Sequence, residues 1–123
     1  MANFELWIEI LSLTKALFDA IKSGLDIAES YQRHKQEEDT IREAQRVSEM
    51  FTTYSEAELK DILRRLEDCR DRFIQQGSGQ DRARCICSVL NEVMIGNGGQ
   101  LPLIDDWGNI YRQLNCGYFL NAN

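Results

Sequence analysis

The chain has 123 residues, 43% hydrophobic and 28% charged, a length suited to one domain and a composition too apolar for disorder. Its net charge of -6 and pI near 4.8 give an average surface that repels nucleic acid and anionic lipid and favours basic partners. One proline and few glycines before residue 77 leave a long run without strong helix breakers, which favours an all-α fold over a turn-rich β one.

The first segment is amphipathic. Phe4, Trp7, Leu11, Phe18, Ile21 and Leu25 belong to a broad apolar surface that reaches Ala28, while Glu5, Glu9, Ser12, Lys15, Asp19, Lys22 and Asp26 recur every three or four residues as a polar stripe. Those charges exclude a transmembrane span, which needs about 18 or more apolar residues with few charges. The expected role is the central helix of a bundle. A self-associating adaptor, pairing with a second copy through Trp7, Leu11 and Phe18, is the alternative, and adsorption of the same helix to a membrane is the third option. The opening Met1-Ala2-Asn3-Phe4-Glu5 lacks the basic start and apolar core of a signal peptide, so a cytoplasmic location is expected.

From Gln32 to Arg46 the chain is strongly polar yet free of glycine and proline, as in a solvated helix. Ile41, Ala44, Val47, Met50 and Phe51 return to an apolar spacing of three and four. A bend between Glu37 and Thr40, capped by Asp39 or Thr40, and a helix running on to about Phe51 are both compatible with this pattern. After Thr52-Thr53-Tyr54, Ser55 and Glu58 have the spacing of a capping box and predict a new helix with Leu59, Leu66, Cys69 and Phe73 on its apolar face. Gly77-Ser78-Gly79 stops that helix. The next starts at Gln80 or Asp81, carries Ala83, Ile86, Cys87, Leu90 and Val93 inward, and ends at Gly96-Asn97-Gly98-Gly99, giving an antiparallel hairpin. Leu101-Pro102-Leu103-Ile104 reads as extended, a last helix capped by Asp105 or Asp106 carries Trp107, Ile110, Tyr111 and Leu114, and Gly117-Tyr118-Phe119-Leu120 follows as an apolar tail. The expected architecture is a single domain over 1–123, an antiparallel bundle of four or five helices with a short apolar C-terminal tail.

Few residues offer chemistry. Cys69, Cys85, Cys87 and Cys116 equal the ligand count of a tetrahedral zinc site, but Cys85 and Cys87 point about 200° apart on a helix and cannot chelate together. With a cytoplasmic location they are expected to be buried free thiols, so neither metal nor cofactor is expected. His34 lies in the most polar stretch and is expected to be a solvated surface histidine. Glu37-Glu38 and Asp105-Asp106 are adjacent pairs that diverge on a helix, so neither is a catalytic dyad, and Gly96-Asn97-Gly98-Gly99 lacks the Lys-Ser/Thr of a phosphate loop. Arg64, Arg65, Arg70, Arg72, Arg82 and Arg84 cluster on the predicted hairpin, but Glu67, Asp68, Asp71 and Asp81 interleave with them, which argues against nucleic acid as a partner.

In general character, a small acidic helical chain without a catalytic constellation resembles bacterial immunity proteins and antitoxins, a likeness of type carried by no residue motif. It implies a non-catalytic protein-binding module that occludes a basic partner, with Glu37, Glu38, Asp39 and Glu43 as the candidate partner-binding residues.

Overall fold

A computed structural model describes residues 2–50, 54–75, 79–96 and 105–121. These residues form α1 (Ala2–Ser23), α2 (Ile27–Gln36), α3 (Glu38–Met50), α4 (Glu56–Gln75), α5 (Gly79–Gly96), α6 (Asp105–Gln113) and α7 (Cys116–Asn121), with no strand among them. The all-α class holds, with more and shorter helices than expected. Asn97, Gly98 and Gly99, the Leu101 to Ile104 segment and the side chains of Asp105, Asp106, Phe119 and Leu120 lie outside the described residues, as do Phe51, Thr52 and Thr53.

The extra helices come from two breaks in the N-terminal half. The apolar pattern of the first segment runs to Ala28, but α1 stops at Ser23 because Gly24 turns left-handed at φ +66 while its N–H still reaches the Ala20 carbonyl at 3.0 Å. Glycine enters that region without the steric cost an L side chain carries. Asp26 then caps α2, its side chain accepting from the Glu29 N–H at 2.9 Å, and α2 folds back along α1. The second break is at Glu37, in extended backbone (φ -75, ψ 136), whose N–H bonds the His34 carbonyl and whose carbonyl accepts from Ile41 in the first turn of α3. The bend left open between 37 and 40 thus falls at its first residue, and neither Asp39 nor Thr40 serves as the cap.

Five helices, α2 to α6, pack around α1. Trp7, Ile10, Leu11, Ala16 and Leu17 are fully buried there, and α3, α4, α5, α6 and α7 each add residues to the same core through Val47, Leu66, Leu90, Trp107 and Cys116. Enclosure on so many sides also covers part of the expected polar stripe. Ser12 is fully buried, and Lys15, 7% exposed, sends its ammonium to Thr40 Oγ1 of α3 at 3.0 Å. A one-helix amphipathic pattern cannot anticipate this, since the stripe faces solvent only until α2 and α3 fold onto it.

The same enclosure corrects the proposed self-association surface. Trp7 meets Tyr54 and Trp107 edge-to-face, each at 6.0 Å between ring centroids, and Leu11 has no exposed surface, so both belong to the chain's own core. Phe18 is half-buried against that core.

In the C-terminal half, local signals and structure agree more closely. The Ser55 hydroxyl accepts from the Glu58 N–H at 3.1 Å while the Glu58 carboxylate accepts from the Ser55 N–H at 3.0 Å, the reciprocal capping box that starts α4. Leu59, Leu66, Cys69 and Phe73 are buried as their spacing predicts, and so are Ala83, Ile86, Cys87, Leu90 and Val93 of α5. Contacts of Phe73 with Arg82, of Cys69 with Cys85 and of Arg65 with Glu92 step in opposite directions along the two helices, so α4 and α5 form the expected antiparallel hairpin. The end of the chain differs. Asn115 adopts a left-handed φ of 58, and the apolar tail, for which no element was expected, belongs to the short helix α7 (Cys116–Asn121), packed against α5.

Candidate functional site

Two places concentrate charge, the bend between α2 and α3 and the cleft between α4 and α5.

At the bend, Glu37, Glu38 and Asp39 are adjacent and exposed, because the extended backbone of Glu37 turns the chain outward between two helices that both pack on α1. Glu38 and Asp39 occupy the first turn of α3, where the positive end of the helix dipole stabilises carboxylates. Asp39 is 80% exposed and lies 3.7 Å from Arg42, a pairing that leaves it largely solvated. Glu43, expected in the same group, is half-buried one turn further on and already has an interaction within the chain. The four residues therefore do not share one open face: three project from the bend and the fourth turns inward.

His34 supports this corner, contrary to the expectation of a solvated side chain. Only 13% of its side chain is exposed, its Nε2 lies 2.7 Å from Asp19 Oδ2 on α1, and its Nδ1 faces the Glu37 carboxylate. Arg33 reaches the same Asp19 oxygen at 3.2 Å. The imidazole ties the end of α2 to α1 and to the first acidic residue of the bend. Sequence gave no signal for it, since Asp19 is 15 residues away and comes near only because Gly24 folds α2 back.

The cleft between α4 and α5, about 810 Å³ in volume, is lined by Arg64, Arg65, Arg72, Arg82 and Arg84 against Asp68 and Asp81. Outside its lining, Asp61 receives hydrogen bonds from both Arg64 and Arg65, which hold its carboxyl below the usual range, and Arg65 also meets Glu92. The Arg82 guanidinium lies 4.4 Å over the Phe73 ring and donates to the Phe73 carbonyl at 3.0 Å. Neither Arg72 nor Arg82 has a carboxylate partner among the described residues.

The cleft also holds the main correction to the chemistry. All four cysteines are paired, Cys69 with Cys85 across the cleft and Cys87 with Cys116 from α5 to α7, with Cα–Cα distances of 5.8 and 5.0 Å. The expectation of free thiols rested on compartment and on apolar position, and apolar position does not distinguish a buried thiol from a buried disulfide. The roughly opposite directions of Cys85 and Cys87 on one helix, which argue against a shared metal, are what let α5 bridge to a different helix on each side. Among the described residues no cluster of three or more His, Cys, Asp or Glu side chains is arranged to hold a metal ion, and no helix is long and apolar enough to cross a membrane.

No protein-family model matches the chain, and no curated protein or solved structure is significantly similar to it.

Proposed function

We propose that this chain is a non-catalytic protein-binding module that occludes a basic partner, with Glu37, Glu38 and Asp39 as the contact residues and Glu43 as a supporting one. The observation that carries this reading is the joint exposure of three consecutive acidic residues, Glu37 with its carboxylate held by the His34 ring and Glu38 and Asp39 in the first turn of α3, a helix anchored through the Lys15–Thr40 bond. An exposed group of like charges attracts an oppositely charged surface at long range and orients it on docking. The self-association alternative loses its motive with the burial of Trp7 and Leu11, and adsorption to a membrane loses the free apolar face of α1.

Location enters the same proposal. Two disulfides in so small a chain favour an oxidising compartment over the cytoplasm, where thiol pools keep accessible cysteines reduced.

The test is an affinity pull-down from the native source with the wild-type chain and with the Glu37→Gln/Glu38→Gln/Asp39→Asn variant, followed by titration of the recovered protein. A basic protein should bind the wild type stoichiometrically, and the variant should lose about tenfold or more in affinity at low salt, with a smaller difference at high salt. Equal affinity and equal salt response for the two chains would overturn the assignment.

A further inference from the structure

The two disulfides sit in opposite surroundings. Cys87 and Cys116 are both fully buried, whereas Cys85 is half-buried and lines the arginine cleft together with Cys69, which is 1% exposed. Thiol–disulfide exchange needs an incoming thiolate to reach one sulfur and a leaving thiolate to be stabilised at the other. The surroundings of the first bond favour both. Cys85 is the partly exposed partner, and Cys69 lies on α4 with Arg72 one turn after it, both on the cleft wall, while Arg65, one turn before it, is shared with Asp61 and Glu92. Guanidinium groups near a cysteine favour its thiolate form. Arg72 and Arg82 have no carboxylate partner among the described residues, so their charge is also available to an incoming anion.

We infer that the cleft between α4 and α5 is a thiol-exchange site for a small anionic thiol, one that carries carboxylates beside its sulfur, and that Cys69–Cys85 is the exchangeable bond while Cys87–Cys116 is structural. In the first step the thiolate of the small molecule attacks Cys85 Sγ, a mixed disulfide forms, the Cys69–Cys85 bond breaks, and Cys69 leaves with the electron pair as a thiolate. The thiolate of a second molecule of the same thiol then attacks the small-molecule sulfur of the mixed disulfide, forming the small-molecule disulfide and releasing Cys85 as a thiolate. Two small thiols are then oxidised to one small-molecule disulfide while one protein disulfide is reduced to two thiolates. Loss of the bond removes the disulfide cross-link between α4 and α5, leaving the chain connection and noncovalent contacts, including the Arg65–Glu92 pair, to hold the cleft walls together.

The experiment uses the oxidised full chain and three thiols, glutathione (anionic), 2-mercaptoethanol (neutral) and cysteamine (cationic), with rates expressed per thiolate. Acid-quenched samples are alkylated and peptide-mapped by mass spectrometry. Cys69 and Cys85 should become labelled at least about tenfold faster than Cys87 and Cys116, because exchange at a buried bond must wait for local opening. A glutathione adduct should appear on Cys85. Glutathione should outpace cysteamine about fivefold at low ionic strength, and salt should erase the difference. Arg72→Gln should reduce that preference, whereas Arg42→Gln on the distant α3 should not, each with an unchanged circular-dichroism spectrum. Equal rates at the two bonds, the adduct on Cys69 alone, or no preference for the anionic thiol at low salt would overturn the inference.

Discussion

Removing the Cys87–Cys116 bond tests the tertiary arrangement most directly. Both cysteines are fully buried and the bond closes a loop with a sequence separation of 29. The chain-entropy model assigns a loop of that length about 3.6 kcal/mol of stabilisation through restriction of the unfolded chain, against about 3 kcal/mol for the 16-residue separation of Cys69–Cys85. The helix it secures, α7, has only 6 residues, far below the length at which an isolated helix persists in water, so it depends on attachment to α5. The Cys87→Ala/Cys116→Ala variant should therefore lose about 3–4 kcal/mol in urea unfolding, a substantial share of the stability of a domain this size. Alanine keeps a buried hydroxyl out of the core. Unfolding is followed by far-ultraviolet circular dichroism, and alkylation of the denatured wild type should find no free thiol. A loss below about 1 kcal/mol, or alkylation of Cys87 and Cys116 in the unreduced wild type, would refute the pairing or the contribution assigned to it.

Gly24→Ala should destabilise the chain by about 1–2 kcal/mol through backbone strain alone, since a Cβ at that position meets nothing within 4 Å; a neutral result in urea unfolding would contradict the left-handed turn between α1 and α2. Trp7→Ala should cost about 3–5 kcal/mol without changing the molecular mass seen by light scattering, because the indole fills the chain's own core; a change of oligomeric state at unchanged stability would return Trp7 to an interface. Acid should weaken the start of α4. The Ser55 N–H and hydroxyl hold the Glu58 carboxyl below its ordinary value of 4.5, and a depressed folded-state value means stability that is fully present above the unfolded value and lost as pH falls through the folded one. Urea midpoints of wild type and Glu58→Gln should therefore differ at pH 7 and converge below pH about 4. A constant difference across that window would remove Glu58 from the linkage.

Signals that act within a few residues were legible. The Ser55–Glu58 box, the inward face of α4 and most of α5 follow from hydrogen bonds and side-chain spacing along one helix, and their partners lie within one or two turns. Gly24 marks the limit of such signals. A glycine inside an apolar pattern is compatible with a weakened helix or with its end, and the left-handed turn is favoured here because Asp26 caps the next helix and α2 finds α1 to pack on. Of the candidate contact residues, Glu37, Glu38 and Asp39 are exposed as a polar run suggests, while Glu43 turns inward with the α3 face that also carries Thr40 and Val47.

Sequence alone therefore determined the helical class, the Ser55–Glu58 cap and the apolar faces of α4 and α5, because these depend on the 3.6-residue period and on backbone groups close in the chain. Tertiary structure decided which apolar faces meet and what lies between them. It placed Trp7 and Leu11 in the core and not at an interface, drew Lys15 to Thr40 and His34 to Asp19, and paired each of the two oppositely directed cysteines of α5 with a different helix. Each of these depends on residues distant in sequence, and no periodicity along one helix records which distant residue will arrive opposite it.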